Sequence, residues 1–229
     1  MRTFLPLILL PGLMLAHAAA ATAQEPIETL PIGRYVLDLR GAMPRLKADP
    51  LVATAINVTP ANLPTRGRGY VAGGQWYALR TGKVTIGIGG EVLVSQARRT
   101  LPAAVEGGEE GPTAIRDLIV VTPQVSLNFG KRQGWSYLSG GVGSSIFTAE
   151  RQAEPPPPDI IVIGTPIVES RQRPLTITYG GGARWFLNRH IAISMDLHFY
   201  RIGAQPASIT RPAMPATRLL VLSVGTAFK

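Results

Sequence analysis

Between His190 and Arg201 the chain alternates strictly. Ile191, Ile193, Met195, Leu197 and Phe199 fall on one side of an extended segment, and Ala192, Ser194, Asp196, His198 and Tyr200 on the other. The pattern recurs elsewhere. Val84, Ile86, Ile88, Val92 and Val94 oppose Thr85, Gly87, Gly89 and Glu91; Ile119, Val121, Val125, Leu127 and Phe129 oppose Thr122, Gln124, Ser126 and Asn128. Leu220, Leu222, Val224, Thr226 and Phe228 oppose Ser223, Gly225 and Ala227. A period of two marks β-strands with one apolar face and one polar or small face. The same rule carried along the chain predicts eight strands, at about 32–41, 69–80, 83–96, 115–129, 135–148, 175–187, 190–201 and 217–228.

Length and spacing give these strands a setting. They run roughly 10 to 15 residues, where soluble strands average about 5 or 6 and a tilted membrane strand needs about 9 to 11. Short turns at Thr81-Gly82, 130–134 and Asn188-Arg189 alternate with long connections at 42–68, 98–113 and 149–174, and with a proline-rich one at Pro206, Pro212 and Pro215. Short turns at one end and long loops at the other are the asymmetry of a transmembrane barrel. Aromatics gather near the short-turn ends, and Trp76, Trp135 and Trp185 are expected at the membrane interface. The fold expected is therefore an all-β, antiparallel, up-and-down eight-stranded transmembrane barrel over 32–229, with a soluble β-sandwich as the alternative. In the first long connection Asp49 and Pro50 cap and open a short helix to about Ile56, a small lid.

Composition supports that setting. The chain has 229 residues, 16% of them charged, with 25 glycines and no cysteine, which excludes disulfides and thiolate metal sites. Beyond the start of the chain, no apolar run approaches the roughly 20 residues of a spanning helix. The start reads as a secretory signal. Arg2 precedes the apolar stretch from Phe4 to Leu15, and Ala21-Thr22-Ala23 supplies a cleavage site. Residues 1–23 are thus a signal peptide and 24–31 a short N-terminal segment. The net charge of +9 is scattered over turns and loop edges rather than gathered in a stripe, which argues against nucleic acid as a partner.

The last strand, Leu220-Val221-Leu222-Ser223-Val224-Gly225-Thr226-Ala227-Phe228, together with the whole pattern from Ile32 onward, resembles the small eight-stranded bacterial outer-membrane β-barrel superfamily. In that superfamily an alternating last strand ending in an aromatic is read by the barrel-assembly machinery. The resemblance implies an outer-membrane location, Phe228 as assembly signal, periplasmic chaperones during export, outer-membrane lipid as surroundings, and a monomer. Lys229 after Phe228 departs from the pattern. Function is not implied, because the superfamily holds anchors, adhesins, small channels and lipid-modifying enzymes.

Candidate chemistry is sparse. G-x-S-x-G, G-x-x-x-x-G-K-[ST] and H-E-x-x-H are absent, and the glycine clusters at 87–90, 140–143 and 180–182 sit within strands, where they make room for large neighbours. No catalytic, cofactor or metal site is expected. Asp159-Ile160-Ile161-Val162-Ile163-Gly164 reads as a β extension of a long loop. Parity turns Arg34, Asp38, Arg40, Glu91, Arg184 and Asp196 into the lumen, with His198 beside Asp196 and an Arg184–Asp196 pair expected across the Asn188-Arg189 turn. Side chains fill an eight-stranded barrel, and buried charges must be matched. The expected function is a non-enzymatic outer-membrane barrel with a plugged polar lumen, in a structural or surface-interaction role. A small porin-like passive channel and a lipid-modifying enzyme are the alternatives.

Overall fold

The computed structural model describes residues 33–81, 83–103, 111–130, 134–152, 173–207 and 213–229. The signal peptide, the segment 24–31, Ile32, Gly82, 131–133 and the stretch 159–164 lie outside them. Eight strands form: β1 (Tyr35–Arg45), β2 (Arg68–Thr81), β3 (Val84–Thr100), β4 (Thr113–Gly130), β5 (Gly134–Gln152), β6 (Leu175–Phe186), β7 (Ile191–Ile202) and β8 (Thr217–Phe228). Each pairs antiparallel with the next, and β8 pairs with β1 from Leu37↔Phe228 to Arg45↔Leu220, closing the barrel. No sheet edge is left open.

Four strands differ in their bounds from the alternation for physical reasons. β3, β4 and β5 run beyond their apolar stretches, because the ladder continues through Arg98↔Ile115↔Glu150 to Thr100↔Thr113↔Gln152. There the inner face packs under the first connection through Ala97 and Ala114, so hydrogen bonding persists where alternation fades. β1 starts at Tyr35, opposite Trp76 of β2, and ends at Arg45, opposite Leu220 of β8.

The faces separate cleanly. Leu197 is 42% exposed on the outside, whereas its neighbours Asp196 and His198 are buried inside. Leu37, Leu39, Met195, Val224 and Val125 extend this outer apolar belt around the barrel. An apolar surface of this extent suits lipid rather than water. Trp76 and Trp185 are exposed on it. Trp135 is not an interfacial residue. It shares parity with Tyr137 and Ser139 on β5 and points inward, edge-on to Tyr77 at 6.2 Å and against Phe186 at 4.6 Å.

Two apolar clusters lie inside. Val36, Tyr77, Trp135, Phe186, Ala192 and Ala227 fill the short-turn end. Lys229 sits over this cluster, its ammonium 4.7 Å from the Phe186 ring centre, and burial together with nearby Arg80 lowers its pKa. At the long-loop end the first connection folds back as the expected lid. Helix α1 (Pro50–Ala55) opens with the Leu51 N–H donating to the Asp49 carboxylate at 2.9 Å. Its Val52 and Ala53, with Leu46, Ile56 and Leu63, pack against inward residues such as Val71, Leu93 and Val221. At the β4–β5 turn Gly130 holds φ +144°, a conformation other residues rarely adopt.

This assignment of faces predicts that Leu197→Arg strongly impairs assembly, since arginine at the bilayer midplane of a barrel costs about 2 to 4 kcal/mol. Membrane yield and heat-modifiable gel mobility would both fall. Ser194→Arg, on the fully buried inner face, is expected to fail through crowding, and a compensating inward truncation should rescue it but not Leu197→Arg.

Candidate functional site: the charged layer in the lumen

Between the two apolar clusters lies a layer of ionised and hydrogen-bonding side chains from five strands. Asp38 and Arg40 come from β1, Glu91 from β3, Tyr137 and Ser139 from β5, Arg184 from β6, Asp196 and His198 from β7 and Tyr200 from the same strand. All are buried. Every one stands on the inward parity of its strand, so the alternation that builds the belt also builds this layer.

Arg184 grips Asp38 with two bonds, Nε to Oδ1 at 3.0 Å and Nη2 to Oδ2 at 2.7 Å, and its guanidinium lies 4.1 Å from the Tyr137 ring centre. This fork-to-fork arrangement is the stronger form of an ion pair. Arg40 bridges two carboxylates, pairing with Asp196 and reaching Glu91 at 3.3 Å. The Tyr137 hydroxyl donates to Asp196, and the Tyr200 hydroxyl donates to Glu91 at 2.5 Å. Glu91 also faces His198 Nδ1 at 3.6 Å, and His198 Nε2 lies 3.0 Å from the Ser139 hydroxyl.

The pairing expected between Arg184 and Asp196 does not form. Residue 184 sits opposite Ser194, as turn counting requires, yet Arg184 reaches across the lumen to Asp38 while Arg40 takes Asp196. In a narrow barrel the far wall is as close as the diagonal neighbour. Arg34 also stands apart from the layer. It is exposed in the bend before β1, where its carbonyl accepts the Tyr77 N–H at 2.8 Å. Parity assigns a side, not a depth, and Arg34 lies at the mouth beyond the Trp135 cluster. The layer therefore holds three carboxylates against two guanidiniums.

Glycines make this layer fit. Gly182 pairs with Asp196 and Gly180 with His198, and an added Cβ at either would strike the facing side chain. Gly73, opposite Glu91, leaves similar room beside the Arg40 guanidinium. Tyr137, Ser139 and Arg116 escaped the sequence reading, and Tyr200, placed on the inward face of its strand, was given no role there. Parity marks all of them. Arg116 ties the lid to the wall, donating to the Lys47 and Pro64 carbonyls at 2.9 and 3.3 Å.

Chemically, Ser139, His198 and Glu91 stand in the order hydroxyl, imidazole, carboxylate, the order of an activated nucleophile. Here Glu91 is already engaged by Arg40 and Tyr200, and the apolar clusters lie between Ser139 and either mouth. Among the described residues no group of three or more His, Cys, Asp or Glu could hold a metal ion.

No protein-family model and no curated protein matches the chain. Solved structures similar to it include Neisserial surface protein A, at 10% identity and TM-score 0.47, covering 86% of this chain and 97% of that one. Another is the outer membrane protein OprG from Pseudomonas aeruginosa, at 12% and 0.46, covering 88% and 98%. A third is the attachment invasion locus protein Ail of Yersinia pestis, at 13% and 0.41, covering 85% and 96%. The chain folds as a closed, antiparallel eight-stranded barrel.

The ion pairs generate a prediction in energies. Arg184→Ala strands Asp38 in the interior and should cost about 3 to 5 kcal/mol, whereas Arg184→Ala with Asp38→Ala should cost less than the two single losses combined. Arg184→Ala with Asp196→Ala should lie much nearer additivity. Urea unfolding in detergent micelles measures all the variants, and equal coupling in both pairs would mean the partners are misassigned.

Proposed function

We propose that the protein is an integral outer-membrane barrel without catalytic activity, whose polar lumen is plugged and whose role is structural or lies in interactions at the cell surface. The layering of the interior is the observation that carries this reading. The guanidiniums and carboxylates of the layer pair with one another across the lumen, and an apolar cluster lies on either side of them, which supports a closed interior. An ion crossing such an interior would have to shed its water against apolar walls, which is costly. Surfaces left for partners are then the outer wall, the lid and the long loops. Export through the periplasm with chaperones, insertion by the barrel-assembly machinery at Phe228, and a monomeric state belong to the same reading.

Two measurements separate it from its rivals. In planar bilayers the purified protein should give no unitary conductance steps; repeated discrete openings would favour a passive channel. A fluorophosphonate probe should leave Ser139 unmodified in the folded barrel. Labelling at Ser139 that disappears in His198→Ala would instead favour a lipid-modifying enzyme.

A further inference from the structure

Where the apolar belt ends on the long-loop side, the outer wall carries a row of arginines. Arg201 on β7 lies directly opposite Arg218 on β8, and Arg45, which ends β1, lies directly opposite Arg66. Arg68 continues the row on β2. All five are exposed. Like charges opposite one another across a sheet are destabilising, and here the arrangement occurs twice within four adjacent strands.

No carboxylate among the described residues answers them. The acids on these strands, Asp38 and Asp196, point into the lumen and are committed to Arg184 and Arg40. The β1–β2 connection holds one acid, Asp49, which caps α1. The β7–β8 connection, 203–216, holds no acid and adds Arg211. Beside the row on β3, Gln96 stands directly opposite Arg68 and donates to Asp117 of β4 at 2.7 Å, so the neighbouring carboxylate is already engaged.

Beneath the arginines the wall is hollowed. A depression of about 370 Å³ is lined by Gly41, Met43, Tyr70 and Val224, with Arg68 at its rim. Gly41 opens it, since a Cβ there would meet only the Val224 carbonyl, at an ordinary 3.7 Å. Cationic groups above an apolar hollow match a molecule with an anionic head and a hydrocarbon tail. Guanidinium forks suit phosphate oxygens in particular.

We propose that this arc is a seat for a phosphorylated lipid of the surrounding leaflet, its phosphate held by Arg45, Arg66 and Arg68 and an acyl chain lying in the hollow over Gly41. The inference rests on the membrane reading above. The lipid, not a soluble anion, is the occupant because the basic row borders the belt and the hollow opens toward lipid. Bound phosphate also relieves the repulsion that the sheet itself leaves unanswered.

The test uses the purified barrel in dodecylmaltoside, a detergent without phosphate, with the heat-modifiable unfolding midpoint as readout. Dioleoylphosphatidic acid should raise the midpoint, while dioleoylglycerol and glycerol 3-phosphate at equal concentrations should not. Arg45→Gln with Arg66→Gln should unfold no more easily without lipid, because repulsion is relieved. It should also need more phosphatidic acid, by about fivefold per arginine. Gly41→Leu fills the hollow, leaves the charge unchanged, and should weaken the lipid response as well. An undiminished response in both variants would overturn the proposal. So would a full response to glycerol 3-phosphate, which would mark a site for soluble anions. A protein that stays soluble and monodisperse without detergent would bring down the membrane reading itself, and this seat with it.

Discussion

The cost of placing ions in a narrow interior is the constraint on which the rest of this barrel depends. An eight-stranded barrel has no room for bulk water around five charged side chains, so each must find its counter-charge on another strand. Asp38 and Arg184 do so across the lumen, as do Arg40 and its two carboxylates. These contacts join residues far apart in the chain, Asp38 and Arg184 being 146 positions apart. The Asp38–Arg184 and Arg40–Asp196 pairs join β1 to β6 and β7, so they form once β1 has met β8. The charged layer thereby favours one register over its neighbours, because a slip of one residue would turn every ion out toward lipid.

The glycines follow from the same constraint. Large charged groups fill a lumen only if the strands facing them carry nothing, and β6 supplies Gly180 and Gly182 opposite His198 and Asp196. Interior packing here is a matching of bulk on one strand with absence on the next. It explains why the glycine clusters sit in mid-strand, where their conformational entropy weakens the sheet, and why they are tied to no turn or phosphate loop.

How much of this was legible beforehand depended on whether the information was local. Alternation along β7 and β8 places both faces almost to the residue, and Asp49-Pro50 announces α1, because each signal lies within a dozen neighbouring residues. Trp135 was misread for a different reason. Its position near a turn suggested the interface, yet its parity with Tyr137 already pointed inward, and parity is the stronger rule. The choice of Asp38 rather than Asp196 as partner of Arg184 was not legible at all. Strand tilt and barrel diameter decide which side chains meet across the lumen, and neither is written in the spacing along one strand. Arg34 failed on depth in the same way, sharing the correct side while standing beyond the Trp135 cluster.

The two surfaces of one wall meet opposite electrostatic demands. Inside, charges are few, buried and answered by the protein. Outside, at the end of the apolar belt, Arg45 faces Arg66 and Arg201 faces Arg218 with no acid from the described residues between them. A folded chain tolerates exposed like charges because water and salt screen them to within roughly a Debye length of about 8 to 10 Å. At the edge of a bilayer that screening is partial on the lipid side, so the neighbouring leaflet becomes the cheapest source of counter-charge. Inside, each carboxylate of the layer is committed to an ion pair, whereas the outer arginines have none among the described residues. The search for what this barrel binds therefore belongs on its outer wall and loops, on the β7-to-β2 side first.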